Sequence, residues 1–297
     1  MPYRWHAHPD VWLLMASLLV GYFWALRRLG PRHTAPGQRA ATRLQTLCWI
    51  SGVVTLWVAA DWPVHDLSER YLYSVHMTQH MLITMVAPPL LLVGTPAWLA
   101  REILAPPSLY RVVRRLARPI PAMLLFNALL VVTHWPAFLD ATLHSELLHF
   151  ATHAAIFGSA VLMWCPVAAP LPELRPLSPA AQMLYLFLQS IVPTVPASFL
   201  VFADKPIYKF YEHVPRLWGL SAGEDQQIAG LIMKLGGGLL LWLLIAVLFF
   251  QWHSAEEEND RQARRWRALE REIDQELPGS QGVSPGFDFR SDRWSGS

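Results

Sequence analysis

Seven stretches of the chain are apolar for long enough to cross roughly 30 Å of hydrocarbon, a distance that takes about 20 helical residues. They are Val11–Leu26, Leu44–Trp62, Met77–Leu99, Pro121–Leu139, Leu147–Ala168, Ala180–Phe202 and Gln226–Trp252. Short polar connections separate them, so consecutive spans are neighbours and antiparallel, as in a compact bundle. The pattern predicts an all-α polytopic membrane protein with a seven-span domain over residues 1–252. After His253 the pattern changes. An acidic run, Glu256–Glu258, leads into a charged segment with Leu269, Ile273 and Leu277 on one side, which predicts a solvated helix over 253–277. The Gly- and Ser-rich stretch 278–297 is expected to be disordered.

Composition agrees with this class: 53% of residues are hydrophobic, 15% are charged, and the mean hydropathy is +0.26. The two cysteines, Cys48 and Cys165, fall in separate apolar runs, which excludes a disulfide framework and a CxxC motif. No Walker motif or Gly-rich dinucleotide fingerprint occurs, and nothing points to nucleic acid. The first ten residues lack the basic stretch and cleavage site of a signal peptide, so the first span is expected to remain in the mature protein.

Charge then orients the bundle. The connections 27–43 and 101–118, residue 175 and the stretch 261–271 carry sixteen arginines. The alternate connections hold only Arg4, Arg70, Lys205, Lys209 and Arg216. Cytoplasmic connections carry the basic excess, which predicts an outer N-terminus, a cytoplasmic C-terminus and, for a bacterium, residence in the cytoplasmic membrane.

With that orientation the histidines acquire depths, at about 1.5 Å of rise per helical residue. His76 falls at the outer surface of the third span and His80 one turn in. His134 lies near the outer end of the fourth span, His144 in the following connection, and His149 and His153 at the outer start of the fifth. Two i,i+4 pairs, His76/His80 and His149/His153, each share one helix face, and Met77 and Met81 lie beside the first. Imidazole and thioether ligands in a membrane span point to a transition metal, copper before others, and to Cu(I) in particular.

Simpler readings apply elsewhere. His6, His8, His33, His65, His144, His213 and His253 read as hydrogen-bonded interfacial residues, and the Met77/Met81/Met85 spacing also suits packing. Pro88-Pro89 frees the carbonyls of Thr84 and Met85 and bends the third span, which either shapes a cavity or fits the helix to its neighbours. Pro193 and Pro196 distort the sixth span, and Gly236–Gly238 is expected to let the seventh approach another backbone closely. Asp225 is either a helix cap or a group that orients a metal-bound imidazole. Lys234, deep in the last span, calls for a partner such as Asp61 or Glu146.

The combination HMTQHM continuing into APPLLLVGTPAWL (His76–Leu99), HWP (His134–Pro136), H-x4-H-x3-H-x4-G-x5-W (His144–Trp164) and DQQIAGLIMKLGGG (Asp225–Gly238) resembles the CtaG-like integral-membrane assembly factors of copper-containing cytochrome c oxidases. The resemblance covers roughly His65 to Trp252. It implies a non-catalytic role in maturing the oxidase's copper centre, with His76, His80, His134, His149 and His153 as copper positions and Met77 and Met81 as softer ones. Oxidase subunits, a soluble copper donor and the bilayer are the implied partners. Two positions depart from the family pattern: Thr152 replaces an acidic residue before His153, and Lys234 an apolar one. Histidines on two spans also suit a bis-His haem protein. A metal transporter fits less well, because the histidines gather at one depth.

Overall fold

The protein is described by a computed structural model over residues 6–175 and 177–276, with side chains to residue 272. Among these residues every regular element is helical. In chain order they are α1 (Pro9–Arg28), α2 (Arg43–Ala60), α3 (Val64–Arg70), α4 (Tyr73–Met81), α5 (Ala87–Gly94), α6 (Ala97–Ile103), α7 (Pro107–Leu116) and α8 (Pro119–Thr133). There follow α9 (Pro136–Leu143), α10 (Glu146–Ala168), α11 (Pro179–Ile191), α12 (Thr194–Phe202), α13 (Lys209–His213), α14 (Ala222–Leu231) and α15 (Gly237–Glu276). Their starts follow local chemistry: Thr42 with Gln45 and Ser221 with Glu224 form capping boxes, and α7, α8, α9 and α11 begin with proline.

Six helical runs are long and apolar enough to cross a membrane, and a seventh exists if α7 and α8, bent 79° to each other, count as one span. The fourth span differs from the expected Pro121–Leu139. Helix α8 stops at Thr133, and Leu139 belongs to α9. Pro136 disfavours helical backbone at Trp135, so the chain breaks at His134-Trp135. The third span also shifts. It runs Tyr73–Gly94, starting a turn earlier than Met77, and Thr95-Pro96 ends it before Leu99, which lies in α6. His76 therefore lies inside the helix and is only 3% exposed.

The chain forms two units, Met1–Val247 and Leu248–Ser297. Helix α15 is continuous to Glu276, so the charged stretch after His253 is helical. The stretch 278–297 lies outside the described residues.

Between α4 and α5 the helix widens into a π turn at Leu82–Val86, where the Ala87 N–H bonds to the Leu82 carbonyl. Pro88 cannot donate to Thr84, and the indole N–H of Trp164 fills the vacancy, donating to the Thr84 carbonyl at 2.9 Å. One proline in the third span thus explains a tryptophan in the fifth. Trp164→Phe removes that donor and strands a buried carbonyl, so stability should fall by about 1–3 kcal/mol. An unchanged thermal midpoint would show that the bond is dispensable.

The close backbone approaches lie away from Gly236–Gly238. A Cβ on Gly236 or Gly238 meets nothing within 4 Å, and one on Gly237 meets only the Met81 sulfur at 3.5 Å. At Gly52, Gly94 and Gly230 it would meet atoms at 2.8, 2.5 and 2.8 Å. Tight packing is needed where α2 lies on α5 and α14 on α12, whereas the three consecutive glycines sit at a second π turn, Ile232–Gly236.

Candidate metal centre

Helix α4 opens with no side-chain cap of its own. Its start is held by Asp225 of α14, which is completely buried. Oδ2 accepts the Tyr73 N–H at 2.7 Å, while Oδ1 accepts the Ser74 N–H at 3.0 Å and the Ser74 hydroxyl at 2.5 Å. A carboxylate on a helix N-terminus satisfies orphan N–H groups and opposes the positive end of the dipole. Asp225 therefore caps a helix other than its own and anchors the one that carries His76 and His80.

Next along α4, His76 and His80 stand one turn apart with ring centroids at 4.5 Å. His153 of α10 approaches from the opposite side, 5.1 Å from the His80 ring and 6.1 Å from that of His76. One ring nitrogen from each of these three residues lies within 4.8 Å of the other two. Among the described residues this is the one group of His, Cys, Asp or Glu placed to hold an ion.

Two further imidazoles border the triad. His149 Nε2 is 3.1 Å from His153 Nε2, close to the ~3.3 Å that separates two nitrogens bound tetrahedrally at ~2.0–2.1 Å. His149 Nδ1 faces the Glu69 carboxylate at 2.9 Å. A carboxylate accepts, so the proton sits on Nδ1 and Nε2 keeps its lone pair, the usual carboxylate–histidine arrangement of metal sites. His134, whose ring is 6.2 Å from that of His80, directs Nδ1 to the Leu130 carbonyl at 2.7 Å. The same logic leaves its Nε2 bare, and that atom is buried without a hydrogen-bond partner. His76 Nδ1 is buried and unpartnered as well. Orphaned buried nitrogens are costly unless something else binds them, so the donor set fits a metal ion.

Met77 is 2% exposed within the core, and the Met81 sulfur lies toward Gly237 of α15. His144 caps its own turn through the Asp140 carbonyl at 2.6 Å. Cys48 and Cys165 are both free thiols. Lys234 lies 5.8 Å from the centre of the Phe202 ring, a cation–π contact, and the Asp61 carboxylate instead receives the Trp12 and Trp57 indoles at 2.7 and 2.6 Å.

Three residues escaped the sequence reading. Glu69 supplies the carboxylate that α10, with Thr152, does not. Gln79 is buried inside the HMTQHM stretch itself; it donates to the Ala59 carbonyl at 2.8 Å and lies 3.3 Å from His65 Nδ1. His65, read as interfacial, sits 3.3 Å from Glu69 and with its ring 6.2 Å from that of His149. The i,i+4 spacing of His65 and Glu69 was the available signal. Burial drives the phenol of Tyr208 up to about 12 and that of Tyr211 well above its ordinary value, so both remain protonated donors. They bond to the His134 and Ser68 carbonyls at 2.9 and 2.8 Å, tying the 203–221 connection over the site.

Similar proteins are known. Residues 20–255 match the family described as cytochrome c oxidase caa3 assembly factor. Uncharacterized proteins of Mycobacterium bovis and Mycobacterium tuberculosis are each 25% identical over 86% of this chain, and one of Mycobacterium leprae is 24% identical over 73%. The chain spans only 42% of the length of the first two and 36% of the third. No solved structure matches. The family match covers most of the chain and all of the histidine cluster, and on that basis the protein belongs to the Caa3_CtaG family of cytochrome c oxidase assembly factors.

Proposed function

We propose that the protein serves oxidase assembly by holding Cu(I) and releasing it during formation of the oxidase's copper centre. The observation that carries this reading is the convergence of His76, His80 and His153 within 4.8 Å, beside buried, unpartnered nitrogens on His76 and His134. In this reading the site binds rather than turns over. Neutral imidazoles suit Cu(I), and a three-nitrogen set with His149 and His134 at its edge offers the ligand exchange that handing on an ion requires. Met77 and Met81 stand as softer, outer candidates. In this reading the N-terminus and the cluster face the outside of a bacterial cytoplasmic membrane, a soluble carrier supplies the ion, and oxidase subunits receive it. The 3.1 Å His149–His153 contact and the 4.8 Å triad favour a small ion over a haem macrocycle.

Anaerobic Cu(I) titration of the full chain in lipid nanodiscs tests this. Wild type should bind, and His80→Ala or His153→Ala should lose about 100-fold or more in affinity, because even the groups behind metal ligands carry ~10–100-fold. Cells carrying His80→Ala should make an oxidase that keeps its haem and lacks copper. A stoichiometric Soret band in the purified protein, or no Cu(I) binding by wild type, would overturn the proposal.

A further inference from the structure

His76 and His80 of the triad are buried, and a chain of side chains leads out from its third member, His153. His153 Nε2 meets His149 Nε2 at 3.1 Å, and His149 Nδ1 meets Glu69 Oε1 at 2.9 Å. The same oxygen lies 3.3 Å from His65 Nε2. The His65 ring stands edge-on to that of His8, with centroids 5.2 Å apart. His8 Nε2 reaches Asp66 Oδ2 at 3.1 Å, and Asp66 Oδ1 reaches His6 Nδ1 at 3.3 Å. Side-chain exposure is 10% at His149, 30% at Glu69, 25% at His65, 21% at His8, 10% at Asp66 and 44% at His6, so the chain ends at the surface.

From this arrangement we infer that His6, His8, Asp66, His65, Glu69 and His149 form a loading path by which a metal ion captured at the surface steps inward to the triad. The inference rests on the metal-binding reading above. An ion moves between ligands without being set free when the next donor can bind before the last one leaves. That requires neighbouring donors within about 4 Å, twice a metal–nitrogen bond of ~2.0–2.1 Å. Every polar step of the chain meets the limit, and the His65 and His8 rings that join its two halves are edge-packed at 5.2 Å between centroids. Asp66 and Glu69 place carboxylates between imidazoles, each of which binds metal through the lone pair of its neutral ring. Weak oxygen ligands between nitrogens keep the ion from settling before the triad. The remaining surface histidines have no such continuity among the described residues: His33, His144, His213 and His253 bond Glu102, the Asp140 carbonyl, the Lys209 carbonyl and Glu257, apart from aromatic neighbours. Simple ion pairing does not require the pairs near the triad to join end to end.

Stopped-flow loading of the full chain in nanodiscs, with Cu(I) supplied as its bicinchoninate complex, separates path from site. His65→Ala and the His8→Ala/Asp66→Asn double variant should load about tenfold or more slowly, within the one to three decades that association rates span among variants of one protein. Their final copper content should equal wild type, and His33→Ala should match wild type in both. The partly exposed His8→Ala alone, which leaves the bundle's packing intact, should still be slower. Rates unchanged in all variants overturn the path while leaving the site; rate and final content falling together make these residues part of the site and also overturn it. A wild-type protein that binds no Cu(I) overturns the site and the path together.

Discussion

Asp225→Ala should loosen the start of α4 and abolish the metal binding proposed above, although Asp225 touches no imidazole. Its carboxylate is fully buried and accepts from two backbone N–H groups and one hydroxyl. Alanine leaves all three donors unsatisfied in an apolar interior and removes the negative charge from a helix N-terminus. Stranding buried donors costs ~1–3 kcal/mol each, so a total on the order of 3 kcal/mol or more is expected, read as a large fall in thermal midpoint. Because His76 lies only two residues beyond Ser74, fraying of that turn moves a proposed ligand directly, and positions misplaced by even 1 Å make poor metal sites. Asp225→Asn retains one acceptor and should fall between the two. Glu224→Gln, which disturbs only the local cap of α14 at Ser221, is the control and should cost about 1 kcal/mol with Cu(I) affinity unchanged. An Asp225→Ala protein with native midpoint and native affinity would contradict this account of the anchor.

Gly94→Ala should be strongly destabilising. A Cβ there would sit 2.5 Å from the Trp49 nitrogen, 2.8 Å from its Cα and 2.9 Å from its Cβ. Backbone atoms of a packed helix have no rotamer to escape into, so α2 and α5 must separate. That separation would also disturb the Tyr22 hydroxyl, which donates to the Gly94 carbonyl at 2.9 Å, and the Tyr22–Trp49 stack at 4.6 Å. Overpacking costs ~1–3 kcal/mol where side chains can adjust, and the upper end or beyond is expected here. Gly158→Ala is the informative comparison. Its Cβ meets nothing within 4 Å in the middle of α10, and helix propensity alone favours alanine by ~0.8–1.0 kcal/mol. A thermal series in which Gly94→Ala and Gly158→Ala behave alike would refute the packing argument.

The apolar runs made the helical class readable along the chain, the combination of motifs the family, and the histidine spacings which helices carry the cluster. The reason is physical: a bilayer-length run and an i,i+4 pair are properties of one helix, and a single sequence window contains them whole. The ends of spans were less legible. Pro136 and Pro96 mark breaks, but whether a helix resumes beyond a proline depends on what packs there, and so Leu139 and Leu99 fell in separate helices.

What one window cannot hold is a partner from another. Asp225 bonds residues 152 and 151 positions away, and its role as cap to α4 exists only because α14 packs against that helix. Glu69 and His149 meet across α3 and α10 for the same reason, as do Trp164 and the Thr84 carbonyl. The sequence by itself determined that imidazoles would sit near one end of several helices. Only the tertiary structure decided that His76, His80 and His153 share a center, that His149 and His134 border it with bare nitrogens, and that Met81 turns toward the last helix. Side-chain direction at a contact is set by the neighbour that fills the other half of it, and that neighbour is supplied by folding.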